Sequence, residues 1–259
     1  MTIRQLIIIL LILSGATNAF DILYFLLYSS DNPTVGHLTT VTGCTFALSH
    51  AFARLGCKQA ISLFGMVFVV SLFFESLGVA TGLVYGPYHY SDRLGPKFLG
   101  LVPYLIPIAW FMMVYPAYVL AERLAPRNWR GWQADLVISA LCGVLMAAWD
   151  LVMDPLKILV GSWVWEVNGY YFGIPIQNYW GWWLTVFGAI ASFRLLVRQD
   201  IPKPEAAFDR LAWIAFVLIA YGDTLKALLH GLFGPALVGI FALTPWVAMG
   251  WVRLGKKNE

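Results

Sequence analysis

AISLFGMVFVVSLFFESLGVATGLV, residues 60–84, is an unbroken apolar run with a single charged residue, Glu75, near its end. About 20 apolar residues in a row are enough for a helix to cross a hydrocarbon core of roughly 30 Å. Glu75 is what makes the run informative. A carboxyl group is costly in hydrocarbon, so one placed there faces a cavity or a partner.

The rest of the chain repeats this pattern. It has 259 residues, 60% hydrophobic and only 12% charged, about half the charge that a water-facing surface carries. Apolar segments fall at 3–28, 37–55, 60–84, 102–121, 133–152, 179–197, 208–230 and 233–252. The expected fold is all-α: a polytopic membrane helical bundle of about eight spans, forming a single integral domain over 1–259. Strand alternation of the kind a membrane barrel requires is absent.

Lysine and arginine positions set the expected orientation. With the N-terminus cytoplasmic, the inner side holds Arg4, Arg54, Lys58, Arg123, Arg127, Arg130, Arg194, Arg198, Lys203, Arg210, Arg253, Lys256 and Lys257. The outer side holds Arg93, Lys97 and Lys157, and Lys226 lies within a span. That is a strong positive-inside bias, with both termini inside. Arg4 followed by LIIILLIL and SGATNA also has the layout of a signal peptide over residues 1–19, which would leave seven spans in the same orientation. The apolar run continues to Tyr28, which favours an uncleaved first span. The segment IPKPE at 201–205 is a polar, proline-stiffened inner loop.

Several function classes drop out. Cys44, Cys57 and Cys142 have no paired spacing, which argues against a disulfide framework or a thiolate zinc site. The basic residues lie in short loops and suggest no nucleic acid. Four histidines without HExxH or a histidine box suggest no metal, and no glycine-rich nucleotide loop is present, so no cofactor is expected.

The polar residues inside spans are the candidates for chemistry. On the expected topology, Asp21, Glu75, Asp150, Asp154, Asp223, Lys226 and His230 all fall in the outer half of the bilayer, as though around one polar chamber. Asp150 and Asp154 are four residues apart and share a helix face. Two carboxyls that close share one proton more readily than they carry two charges, giving one donor and one ionised base. Alternatively, Asp154 turns the chain before Pro155, which is expected to end the helix. Asp223 and Lys226, three apart, form a neutralising pair. Glu75 has no basic neighbour in its own span and is expected to be a neutral acid. His50 reads as a packed histidine, and His37 and His89 as interfacial. Two outer loops are long, 85–101 and 153–178. From Trp163 to Trp183 the second loop and the span after it carry nine aromatic residues, which form either an interfacial belt or the mouth of an apolar pocket.

Three strings carry a resemblance: FFESLGVATGLVYGPYHYSDRLGPKFLGLVPYLIPIAWFMMVYPAY, then AAWDLVMDP, then GSWVWEVNGYYFGIPIQNYWGWW, covering about 70–185. In order and spacing this stretch resembles the carotenoid-biosynthesis membrane hydratases, of the γ-carotene hydroxylase/hydratase and bisanhydrobacterioruberin hydratase types. The resemblance implies addition of water across the terminal isoprene double bond of an acyclic carotenoid ψ-end, giving a tertiary alcohol. Such a reaction needs a dry acid, a stabilised tertiary cation and a base to deliver water. Glu75 or one of Asp150 and Asp154 would supply the proton, and the partner carboxylate would orient water. Trp110, Trp149 or Trp163 would shield the cation with its π face. Trp165, Tyr85, Tyr88 and Asn178 complete the expected substrate-lining set, and Asp21, Thr81, Asp223, Lys226 and His230 the supporting polar set. The implied partners are a carotenoid of lycopene, γ-carotene or bacterioruberin-precursor type, the lipid bilayer and other carotenoid-pathway enzymes, and the implied location is the cell inner (cytoplasmic) membrane. Competing readings are a carotenoid cyclase or isomerase, a retinal- or carotenoid-binding protein using Lys226, and a transporter.

Overall fold

The computed structural model describes residues 1–126, 129–197 and 205–255. Arg127, Arg198, Lys203, Lys256, Lys257 and all of the 201–205 loop but Glu205 lie outside the described residues. Among those described, eight α-helices form the fold: α1 (Ile3–Tyr28), α2 (Pro33–Leu55), α3 (Cys57–Thr81), α4 (Leu105–Leu124), α5 (Gly131–Leu159), α6 (Ile176–Ser192), α7 (Ala206–Leu229) and α8 (Phe233–Gly255). Four short strands punctuate them: β1 (Tyr88–Tyr90), β2 (Lys97–Phe98), β3 (Val102–Pro103) and β4 (Trp163–Trp165). The all-α polytopic bundle expected from the sequence is the fold observed.

Seven helices are long and apolar enough to cross a membrane, α6 being counted with its π-helical extension Phe193–Val197. The exception among the eight expected spans is α2. Its 23 residues reach about 35 Å at 1.5 Å per residue, so composition and not length sets it apart. Asn32 caps its start and Pro33 occupies the first turn, where proline's missing N–H costs nothing. Thr39, Thr40, Thr42 and Thr45 each donate to a carbonyl four residues back. Their hydroxyls are thereby satisfied by the helix itself.

α4 is the central helix. Ile106, Pro107 and every residue from Trp110 to Ala121 are buried, and α4 packs against α2, α3, α5, α7 and α8. Outward, α1 exposes Ile8, Ile9 and Ile12, α3 exposes Val69 and Phe73, and α8 exposes Leu237 and Phe241. An apolar perimeter of this kind suits lipid as solvent.

α5 departs from expectation. Instead of ending at Pro155 it runs on to Leu159. Proline removes the N–H that would have bonded the carbonyl four residues back, and that carbonyl, Leu151, instead accepts the Tyr171 hydroxyl at 2.8 Å. Asp154 is therefore a helical residue and not a turn former.

One end of the bundle holds a charged clasp. Arg54 pairs with Glu122 at 2.8 Å and Asp209 at 2.7 Å, Arg123 with Asp209 at 2.8 Å, and Arg194 with Glu122 at 2.6 Å and Asp135 at 2.8 Å. Arg54 and Arg194 are buried, so these two are not the loose loop charges expected. The buried acids of this end, Asp135 and Asp209, were not singled out in the sequence and are separate from the set expected to share one depth. His50 sits near this end, bonded to the Tyr115 hydroxyl at 2.6 Å and the Phe208 carbonyl at 3.0 Å, a packed histidine.

Candidate active site

At the opposite end the two long loops meet. β1 and β4 pair antiparallel, Tyr88 opposite Trp165 and Tyr90 opposite Trp163. Side chains alternate faces along a strand. Tyr88, Tyr90, Trp163 and Trp165 therefore share the inner face, while His89 and Val164 point out. The chain reaches this ribbon from α3 through Gly82 and Val84, both at positive φ. For β-branched Val84 that conformation is strained, on the order of 1–3 kcal/mol. It seats Tyr85 between two glycines: a Cβ on Gly78 would stand 2.6 Å from the Tyr85 ring, and one on Gly181 2.5 Å. Tyr85 then bonds Thr185 through its hydroxyl at 2.6 Å.

The ribbon closes over the buried carboxyl groups. Glu75 is 3% exposed. Its Oε1 accepts the Trp110 indole N–H at 3.0 Å, and its Oε2 meets the Tyr90 hydroxyl at 2.7 Å and the Tyr88 hydroxyl. Burial, reinforced by the adjacent Glu75 carboxyl, holds the Tyr85, Tyr88 and Tyr90 hydroxyls well above the usual phenol range, so they remain O–H groups. Asp154 Oδ1 accepts the Trp163 indole N–H at 2.6 Å. Asn178, in the first turn of α6, donates to Asp154 Oδ2 at 2.8 Å and Asp150 Oδ2 at 2.7 Å. Turned the other way, its amide would set a carbonyl oxygen against two carboxyl groups. Asp150 is fully buried, and its Oδ1 has no hydrogen-bond partner among the described residues.

These groups surround a cavity of about 160 Å³. A dry cavity of roughly 150 Å³ accepts benzene, so this one has room for a five-carbon isoprenoid terminus. Aromatic rings form its wall. Trp182 stacks on Trp110 at 4.1 Å and meets Trp149 edge-on at 5.9 Å, while Tyr90 meets Trp163 edge-on at 5.8 Å. The far end is polar: Lys226 bonds Asp21 at 2.7 Å and lies 3.4 Å from Asp223, which accepts the Trp149 N–H at 3.0 Å.

Most of the residues expected from the sequence come together here. Glu75, Asp154, Trp110, Trp149, Trp163, Trp165, Tyr85, Tyr88 and Asn178 line the cavity, as do Asp21, Asp223 and Lys226 at its polar end. Three do not. Asp150 lies behind Asn178. Thr81 is exposed and donates to the Leu77 carbonyl of its own helix. His230 lies between the Lys226 carbonyl and Asp31, stacked on Phe25. His37 bonds the Arg93 carbonyl, and exposed His89 meets Glu166. Tyr90, Asn18 and Lys157 also line the cavity and were missed, while Trp182 lines it as one of the nine aromatic residues but was not singled out. Spacing could have found them: Tyr90 is two residues along a strand from Tyr88, Trp182 four along a helix from Asn178. Asn18 and Lys157 are each three from an acid, Asp21 and Asp154. Among the described residues no group of three or more His, Cys, Asp or Glu is arranged to hold a metal ion.

Against known proteins, residues 35–245 match the family model described as "Carotenoid biosynthesis protein". The bisanhydrobacterioruberin hydratase of Haloarcula japonica is 38% identical over 156 residues, covering 58% of this chain and 51% of the relative. The chain thus spans about half the length of the curated relative it matches. No solved structure matches.

Proposed function

The chain belongs to the carotenoid biosynthesis protein family, and we propose that it is a multi-pass hydratase of the cytoplasmic membrane that adds water to the terminal isoprene double bond of an acyclic carotenoid. The single observation that carries this reading is that two buried carboxyl groups, Glu75 and Asp154, face one cavity of isoprenoid size walled by indole rings. The relative's name supports the reaction class.

The donor pattern distributes the roles. An indole N–H only donates, so Trp110 marks Glu75 Oε1 as an acceptor; the Tyr88 and Tyr90 hydroxyls donate to Oε2, and because a hydroxyl can also accept, a proton carried on Oε2 is received by one of them. Glu75 gives that proton to the less substituted alkene carbon, and the π pair forms the new C–H bond. The tertiary cation left behind lies against the π faces of Trp110, Trp149 and Trp182. Asp154 accepts from donor-only groups on both oxygens, the arrangement of an ionised carboxylate. It takes a proton from the water whose oxygen bonds the cation. The proton that Asp154 has taken passes through cavity water and the Tyr88 and Tyr90 hydroxyls to Glu75, which restores both carboxyl groups for the next turnover.

Asp150 is assigned a positioning role. A buried carboxyl oxygen without a partner is tolerated far better protonated than charged, and its other oxygen holds Asn178, which in turn holds Asp154.

Expression in a lycopene-producing bacterium tests the reading. Pigments heavier by one water per reacted end are expected. A cyclised or isomerised pigment of unchanged mass would point to an enzyme that shares the acid but excludes water.

A further inference from the structure

The polar end of the cavity contains groups whose hydrogen-bonding capacity is not spent on protein. Asn18, on α1, is 7% exposed and lines the cavity. Among the described residues its amide makes no hydrogen bond, although it offers two donors and a carbonyl acceptor. Its amide rests against the open face of Gly222, where a Cβ would collide with it. Lys157, one helical turn beyond Asp154 on α5, also lines the cavity and has no ion pair or side-chain hydrogen bond among the described residues. Thr39 and Thr40 line the same end and donate to Val35 and Gly36, which leaves their oxygen lone pairs as acceptors. Asp21 and Asp223 share the Lys226 ammonium, Asp223 also accepts the Trp149 N–H, and Lys157 stands close enough to both carboxylates to balance the second charge.

We propose that this end is a water-binding subsite on Asn18, Thr39, Thr40 and Lys157 that supplies the molecule added in the hydration, a reading that rests on the function proposed above. A buried polar amide with no partner is expensive, and a bound water typically makes about three hydrogen bonds to such groups. The mixture of donors and acceptors, at an end where Lys226 and Lys157 together balance Asp21 and Asp223, fits a small neutral ligand of both capacities better than an ion. Trp149 marks the boundary. Its N–H faces Asp223, and its ring packs on Trp182, which stacks on the Trp110 that holds Glu75.

The subsite separates protonation from water capture, and deuterium oxide reads the two independently. Glu75 carrying deuterium forms a C–D bond at the alkene carbon. If no water attacks, the cation loses a proton from that carbon or from a neighbouring methyl group, and a deuterated alkene is recovered. In membranes containing Asn18→Leu and supplied with lycopene, the hydrated product should fall at least about tenfold per mole of protein, while deuterium still enters recovered lycopene. Asn18→Ser, which keeps a polar group, should restore part of the hydration. Thr39→Val, nearly isosteric, should shift the same ratio and carries the test if Asn18→Leu does not accumulate. Wild-type hydration in both Asn18→Leu and Thr39→Val, or equal loss of hydration and deuterium in accumulating protein, would overturn the subsite. Wild-type protein giving neither water addition nor deuterium would instead sink the hydratase reading beneath it.

Discussion

Trp110 fixes one oxygen of Glu75, and two tyrosine hydroxyls attend the other; Asp154 is held on both oxygens by N–H groups. Glu75→Gln and Asp154→Asn preserve shape but remove, on the proposed roles, the transferable proton and the base. Each should lower hydration by about 10²-fold or more, the usual contribution of general acid–base catalysis, with abundance unchanged. Asp150→Asn should cost less, because that group acts on the cavity only through Asn178. Pigment hydration per mole of protein measures all three, and full activity in both Glu75→Gln and Asp154→Asn would place the acid and base elsewhere. The acids were legible because a carboxyl in an apolar run is conspicuous. Their hydrogen-bond partners were not. Tyr90, 75's neighbour in space but fifteen residues along the chain, acquires its position only from a ribbon pairing that no local pattern announces.

The ribbon of β1 and β4 is the element that assembles the site, and its seat is the wedged Tyr85. Gly78→Ala and Gly181→Ala each force a methyl into that ring, an overpacking cost of about 1–3 kcal/mol. Both variants should melt at lower temperature in detergent. Gly65→Ala, in the same helix as Gly78 but with nothing within 4 Å of the added carbon, should melt at or above the wild-type temperature, since alanine is the better helix former. A Gly78→Ala protein as stable as Gly65→Ala would show that Tyr85 is not tightly seated. Helix count and approximate position could be read from apolar periodicity and length. The end of α5 could not, because Pro155 is accommodated by a tyrosine sixteen residues further on. The place of α2 was legible as the 37–55 segment, and what the sequence did not show is that its threonines satisfy themselves within the helix.

Across the whole molecule, charge collects at two ends with different purposes. At one end Arg54, Arg123 and Arg194 are matched to Glu122, Asp135 and Asp209 and bind helices together; at the other, carboxyl groups are matched mainly to neutral donors and face a cavity. The arginine-rich end should be cytoplasmic, by the bias of basic residues to that side. A reporter fused after Glu259 should read cytoplasmic and one inserted near Glu166 external, and the reverse result would invert the cavity's access. The central claim, that the cavity adds water to an alkene by proton transfer, is tested most directly by isotope. Purified protein in detergent is given lycopene in heavy-oxygen water and, separately, in deuterium oxide. The account predicts one heavy oxygen and one carbon-bound deuterium per hydrated end for the wild type, and neither for Glu75→Gln. A hydroxylated product carrying oxygen from air and no deuterium on carbon would contradict it.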